Sequence, residues 1–298
     1  MQQYLSAKQA HPNELLFFRL GDFYEMFFED AKVAAKELGL TLTSRSGDLD
    51  KSPMCGVPYH AADSYIARLV AKGFKVAIAE QIGDPKAKGL THREVVKVVT
   101  PGTALSDEVL RDASNIYITL LHETNDGTFF LAGADISTGE AFYASYAGET
   151  AAQQILDELY RRMTAELLMT EGFSLADTVR AFLTQRLPHC AVSTAETVAK
   201  DELLAQHFPA AEIPTDAGAR IAVATLLGYL HDTVMADLSQ INRLSFLDTR
   251  ETMQLDTYTL RNLEITRSLR DGGKKNTLFD VLDFTRTPMG TRLLRAWL

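Results

Sequence analysis

Six aromatic residues crowd into twelve positions of one short run, LFFRLGDFYEMFFEDA: Phe17, Phe18, Phe23, Tyr24, Phe27 and Phe28. Filling a core strand and helix is the ordinary use of such a run, but helical geometry leaves a remainder. Leu15–Leu20 has the length of a strand. Gly21 and Asp22 break it, with Asp22 available as an N-cap. Apolar spacing of three and four then predicts a helix over Phe23–Leu38, stopped at Gly39. On that helix Phe27 lies above Phe23, and Phe28 above Tyr24. The arc is too wide for one buried stripe, so at least one aromatic of the first turn is surplus to core filling, and Phe23 is the best placed. Phe23 and Glu25 diverge on a regular helix; they project together only if Phe23 lies on extended or turn backbone. A protruding Phe beside a carboxylate suits a wedge that enters a base stack, with a hydrogen-bonding neighbour to read what it meets. The other reading makes all six aromatics core.

Composition sets the class. Of 298 residues, 46% are hydrophobic and 23% charged, which is ordinary globular usage and excludes a wholly disordered, collagen-like or coiled-coil chain. No apolar run reaches the roughly 18 residues of a membrane span, and the opening residues lack the basic-then-apolar pattern of a secretory signal. Cys55 and Cys190 are the only cysteines, too few for a disulfide framework or a multi-cysteine zinc site. The expectation is a cytoplasmic protein with no membrane contact.

The net charge of −9 is unevenly divided. Residues 1–102 hold 13 Lys+Arg and 12 Asp+Glu, residues 103–240 hold 7 and 20, and residues 241–298 hold 10 and 7. A polyanion would therefore be met by the ends and repelled by the middle; ordinary solvated surfaces are the alternative. Thr100-Pro101-Gly102-Thr103 punctuates the first boundary, and patterning turns helical near residues 237–247. Three pieces are expected: 1–102 mixed α/β, 103–240 α/β, and 241–298 helical.

Within the first piece, Leu40–Thr43, Lys75–Glu80 and Val95–Val99 read as strands, Ser64–Lys72 as a helix capped by Asp63, and Pro53–His60 and residues 83–88 as loops. In the second, Ile116–Leu121, Thr128–Asp135 and Glu140–Tyr146 form a meander through the turns Asn125-Asp126-Gly127 and Ser137-Thr138-Gly139. Helices over Thr150–Met163 and Leu175–Leu187 then alternate with strands Glu166–Met169 and Cys190–Ser193, which gives a mixed sheet.

The run GDFYEMFFEDA, followed by MCGVPYHA, EQIGDP, VTPGT, DISTGE, LRNLEI and LFDVLDFTRTPMGTRLLRAWL, resembles the MutS family of bacterial DNA mismatch-repair proteins. The motifs are specific in combination, and the resemblance runs in order along essentially the whole chain. It implies a mismatch-recognition domain over 1–102, a ribonuclease H-like connector over 103–240 and the start of an all-α core and lever over 241–298. The family's clamp, ATPase and dimerisation regions lie beyond Leu298.

Residue by residue, the resemblance implies that Phe23 stacks from the minor groove on a mispaired or unpaired base, and that Glu25 hydrogen-bonds that base. Nearby phosphates would raise the carboxyl pKa of Glu25, so a protonated, donating Glu25 is one hypothesis. Arg45 and Lys97 match basic positions near the DNA backbone, with solvated surface cations as the alternative. Met54, Pro58, Tyr59 and His60 match the loop behind the reading motif; His60 is read as packing or groove lining, and Cys55 as a small buried residue. The partners implied are duplex DNA with mismatches or small loops, MutL and, in the full-length family, a second copy, in a bacterial, nucleoid-associated setting.

No enzymatic signal is strong. Residues 272–277 fail the phosphate-loop pattern G-x-x-x-x-G-K-[ST]. ATP and magnesium are implied for the full-length family, with no cofactor in this chain. Asp135, Glu140 and Asp157 evoke a carboxylate metal site only by analogy of fold, against ordinary solvated acids. The competing functions are an acidic α/β protein-interaction module and a metal-dependent nuclease.

Overall fold

The computed structural model describes residues 1–44, 52–82, 92–104, 115–248, 253 and 255–298. The chain divides into two units, residues 1–104 with 230–237, and residues 105–229 with 238–298. Both are mixed α/β, as the sequence predicts. No helix among the described residues is long and apolar enough to cross a membrane.

The first unit is built on a six-stranded sheet. Helix α1 (Gln2–Ala10) precedes strands β1 (Leu15–Leu20) and β2 (Phe23–Phe27), and helix α2 (Phe28–Leu38) follows directly. Strands β3 (Thr43–Ser44) and β4 (Pro53–Pro58), helix α3 (Ala62–Val70), and strands β5 (Val76–Ile82) and β6 (His92–Val99) complete it. The sheet order is β3-β4-β2-β1-β5-β6, with β1 and β5 parallel and the other pairs antiparallel.

Two expectations fail here, for one reason. Phe23–Phe27 is a strand, not the first turn of a helix, and Pro53–Pro58 is a strand, not a loop. β2 pairs with β1 on one side and β4 on the other. Both rows of its backbone groups are thus satisfied, which a helix starting at Phe23 would deny to its neighbours. The helix starts only at Phe28, whose φ of +54° marks the sharp turn out of the sheet. Pro53 and Pro58 sit at the ends of their strand, where a missing N–H is tolerated.

Each face of this sheet has its own core. Phe17, Tyr24, Met26, Cys55 and Val57 pack under α2 and α3 with Ala31, Ala34, Leu38, Ile66 and Leu69. On the other face Leu16, Phe18, Phe27, Ala77, Ala79 and Val98 gather around Tyr4 of α1. Tyr4 stacks edge-on against Phe18 and Phe27 at 5.6 and 4.9 Å.

α1 is a weak helix on its own: a nine-residue piece without a side-chain cap is below the length that is stable in water. The buried carboxylate of Asp30 anchors it. That group accepts from Tyr4 Oη at 3.2 Å and from the Leu16 backbone N–H at 3.1 Å, and pairs with Lys8 Nζ at 2.9 Å. One carboxylate therefore ties α1, β1 and α2 together.

The second unit carries another six-stranded sheet, in the order β11-β10-β7-β8-β9-β12. Its strands are β7 (Ile118–Glu123), β8 (Phe129–Asp135), β9 (Glu140–Tyr146), β10 (Glu166–Thr170), β11 (Ala191–Ala195) and β12 (Arg243–Phe246). β7, β8 and β9 form the expected antiparallel meander. Helices α4 (Ala151–Arg161) and α5 (Ala176–Arg186) lead into β10 and β11, which add in parallel. Helices α6 (Asp201–His207) and α7 (Ala217–Val234) follow, the latter crossing the division between the units. β12 then lies parallel to β9, in a stretch whose pattern reads as turning helical. The last helices are α8 (Thr257–Asn262), α9 (Leu278–Leu282) and α10 (Pro288–Trp297). At Gly133 the ring of Phe142 lies where a side chain would start, 2.2 Å from an ideal Cβ, so only glycine lets β8 and β9 close here.

Asp30→Ala removes a buried acceptor from three donors at once. It should lower the unfolding free energy by about 2–4 kcal/mol, the scale for leaving buried partners unsatisfied. Urea denaturation of the chain measures it, and a loss under 0.5 kcal/mol would mean that α1 is held by its apolar contacts alone.

Candidate nucleic-acid interface

The β1–β2 hairpin turns on two residues, Gly21 and Asp22, with Leu20 opposite Phe23. Gly21 takes φ +62°, which glycine reaches without a Cβ penalty and which suits a two-residue hairpin turn. Strand alternation then does what a helix could not. Side chains two apart share a face, so Phe23 and Glu25 project together while Tyr24 and Met26 enter the core under α2 and α3.

The resulting pair is unusual. Phe23 is 48% exposed although the run around it is otherwise mostly buried. Glu25 is half-buried, and its Oε2 lies out of solvent with no hydrogen-bond partner among the described residues. Its neighbour across β4 is Gly56. A Cβ there would sit 3.3 Å from the Tyr24 carbonyl oxygen and 3.6 Å from Glu25 Cγ, so the missing side chain gives Glu25 its room. Pro58 lies opposite Phe23 and Met54 opposite Phe27, which brings Met54 and Pro58 onto the same face. Met54 packs into the α1 core. α1 thus closes one end of this face and leaves the Phe23 end open.

Tyr59 and His60 occupy the 3-10 turn after β4, both exposed, with their rings 5.9 Å apart and edge-on. The Tyr59 N–H donates to the Asp22 carbonyl at 2.9 Å. The Arg19 guanidinium lies 3.8 Å over the Tyr59 ring and 5.4 Å from that of Tyr24. His60 joins no metal-ligating group among the described residues. Arg45 lies outside the described residues.

Lys97 is brought to the other side of the sheet. It pairs with Ile78, which packs in the α2–α3 core. A bulge between Ile78 and Ala79 gives β6 one extra residue, and such a residue reverses the alternation beyond it. Simple counting by twos would place Arg93, Val95 and Lys97 together. With the bulge, Val95 and Arg93 face as Phe18 does: Val95 packs in the α1 core, and the Arg93 guanidinium lies 5.5 Å from the Phe18 ring. Arg93 Nε also donates to the Arg19 carbonyl at 2.6 Å. Arg93, Arg19 and Gly56 are thus the positions around Phe23 and Glu25 that counting along the sequence does not find.

The titratable groups here are structural. Tyr24 hands its hydroxyl proton to a hydrogen bond with Glu80, and burial, with that bond, pushes its pKa up to about 12. Burial also pushes the thiols up, Cys55 to about 11 and Cys190 to about 12.

In the second unit the three carboxylates evocative of a metal site are engaged separately. Asp135 accepts from Ser137 N and Oγ at 2.8 and 2.6 Å, closing the β8–β9 turn. Glu140 accepts from Tyr117 Oη at 2.9 Å and pairs with Arg162 at 3.2 Å. Asp157 accepts from Thr257 N and Oγ1 at 2.9 and 2.7 Å. At residues 272–277, Thr277 Oγ1 accepts from Asp280 N at 3.1 Å as the N-cap of α9. That geometry is a connection between helices, not a phosphate cradle.

Comparison with known proteins gives a consistent result. Residues 1–108 match the family model for MutS domain I and residues 258–298 that for MutS domain III. Over 308 aligned residues covering all of this chain, it is 44% identical to the DNA mismatch repair protein MutS of Desulforamulus reducens and 42% identical to that of Pelotomaculum thermopropionicum. The protein of the same name from Methanosarcina acetivorans is 41% identical over 318 residues. The chain spans 35% of the length of each of these relatives.

Both cysteines should resist a disulfide reagent at pH 8 in the native protein. A raised pKa means that the thiolate fraction is lower than for a free thiol, and reaction should appear only as denaturant opens the fold. Prompt labelling of Cys55 without denaturant, located by peptide mapping, would contradict its burial.

Proposed function

Because the chain belongs to the MutS family, we propose that it binds duplex DNA at mispaired or unpaired bases and serves as the reading part of a mismatch repair protein. The observation that carries this reading is the exposed Phe23 ring beside Glu25, whose Oε2 has no partner among the described residues, on one face of one strand. An apolar ring on a rigid hairpin is a wedge, and an unsatisfied acceptor beside it awaits a partner. Entering a stack costs a few kcal/mol per step, and less where pairing is already lost. A duplex also kinks more readily at a mispair. Discrimination then rests on deformability more than on a base code, which lets one wedge serve many mispairs and small loops. Glu25 supplies the polar contact to the base that Phe23 engages.

In this reading Met54 and Pro58 back the wedge from β4, Tyr59 and His60 line the adjoining turn, and Arg45 is a candidate for a backbone phosphate. Lys97 faces away from Phe23, so its contact would be with a different stretch of backbone. The acidic middle piece, 103–240, suits docking of a protein partner better than DNA, and MutL is the partner the family implies. ATP with magnesium, and the homodimer, are proposals for the full-length protein. We keep 1–102, 103–240 and 241–298 as the functional partition; limited proteolysis should cut near residues 237–247, most of them exposed, ahead of any cut within Ala151–Arg161.

Phe23→Ala should reduce the preference for heteroduplex over homoduplex by about 1–3 kcal/mol, the range for one base stacked on an aromatic side chain. Homoduplex binding, which is phosphate-driven, should survive with its salt dependence. Fluorescence anisotropy with matched and mismatched oligonucleotides, alongside a melting curve, tests this. A drop of many degrees in melting temperature would return Phe23 to the core. Preference retained with the fold unchanged would put the wedge elsewhere.

A further inference from the structure

The hairpin that carries Phe23 outruns its support. β1 pairs with β5 from Leu15 to Phe18 only, so Arg19, Leu20 and the turn project beyond the parallel ladder. β4 flanks β2 as far as Phe23, so this end is three strands wide, but β1 has lost its β5 neighbour beyond Phe18, and a wedge that bends away when pressed into a stack does no work on the DNA. Something other than β5 must stiffen this end.

We propose that Arg19 and Tyr59 form a clamp that sets the angle and rigidity of the Phe23 hairpin, and that both are positioning residues for mismatch discrimination. The proposal rests on the reading of Phe23 given above. Three contacts meet at this clamp. Arg19 Nε donates to the Gly21 carbonyl at 2.5 Å, inside the turn. The same guanidinium lies over the Tyr59 ring, its Cζ 3.8 Å from the centroid. The Tyr59 backbone N–H closes the loop by donating to the Asp22 carbonyl at 2.9 Å. The turn is therefore bridged to the segment after β4 on both its residues, through one cation, one ring and one amide. By register, Arg19 lies opposite Tyr24, on the face away from Phe23 and Glu25. The clamp braces the hairpin from behind and leaves the reading face clear.

Planarity matters to this arrangement. Guanidinium stacks on an aromatic face and still directs an N–H sideways, whereas the ammonium of lysine cannot do both. Arg19→Lys should therefore fail as Arg19→Met does, while Tyr59→Phe, which keeps the ring, should leave amide exchange at the turn as in the wild type.

Two measurements on the 298-residue chain test the clamp. The first needs no DNA: amide hydrogen exchange in the free protein. In Arg19→Met and Tyr59→Ala the amides around the turn should exchange several-fold faster, the Tyr59 amide among them in the Arg19 variant. The β1–β5 ladder should keep its protection. The second is the heteroduplex-to-homoduplex binding ratio, which should fall about two- to fivefold in Arg19→Met, the factor carried by a cation–π contact at a partly exposed site. Homoduplex affinity and its salt slope should be unchanged, because Arg19 does not face the DNA; a shallower slope would make Arg19 a phosphate contact and overturn the proposal. Unchanged exchange at the turn would overturn it as well. If Phe23→Ala abolishes discrimination and Arg19→Met leaves it whole, the clamp fails and the wedge stands. If Phe23→Ala has no effect, the wedge itself fails, and the exchange data still decide whether the clamp exists.

Discussion

The pairing of β2 between β1 and β4 is the constraint on which the first unit depends. Two ladders hold its five residues extended, and extension imposes a period of two on side chains that a helical pattern would have spread around an axis. Tyr24 and Met26 go inward, and Phe23, Glu25 and Phe27 go to the other face. Only Phe27 of those three is covered, by Tyr4 of α1. The position of α1, fixed by the Asp30 carboxylate, therefore decides how much of the face is core and how much is free to meet a ligand.

That arrangement also shows how a small sheet can expose an aromatic ring without losing stability. The twelve-residue run supplies both cores at once, so the unit does not need Phe23 for burial. That surplus leaves Phe23 available for the wedge proposed above. Glycine completes the design from the other side: Gly56 withholds a side chain where Glu25 needs space, and Gly21 reaches the turn conformation that brings Phe23 back beside Leu20.

The second unit uses its acids differently. Asp135 closes a turn, Asp157 holds the start of α8, and Glu158 pairs with Arg161 and Arg162 at 2.6 and 2.9 Å. Carboxylates bound to backbone amides and guanidinium groups in this way stabilise a scaffold and are not arranged to hold a cation. With 20 Asp+Glu against 7 Lys+Arg in residues 103–240, its surface would repel a polyanion, while residues 1–102 are nearly balanced.

The sequence by itself determined the class of fold, the meander and its turns, the αL stop at Gly39, and the suspicion that Phe23 is surplus, because these depend on local period and on glycine. The motifs determined the family. It could not determine that Phe23–Phe27 is a strand, since the same residues satisfy a helical period, and only the partners β1 and β4, the latter 27 to 35 positions away, resolve the choice. Nor could it place Lys97 and Arg93 on opposite faces. That was decided by one extra residue in β6, which is visible only against β5. The Arg19–Tyr59 contact spans 40 positions for the same reason. Periodicity reports what a segment can be, whereas pairing across the sheet decides which of those it is.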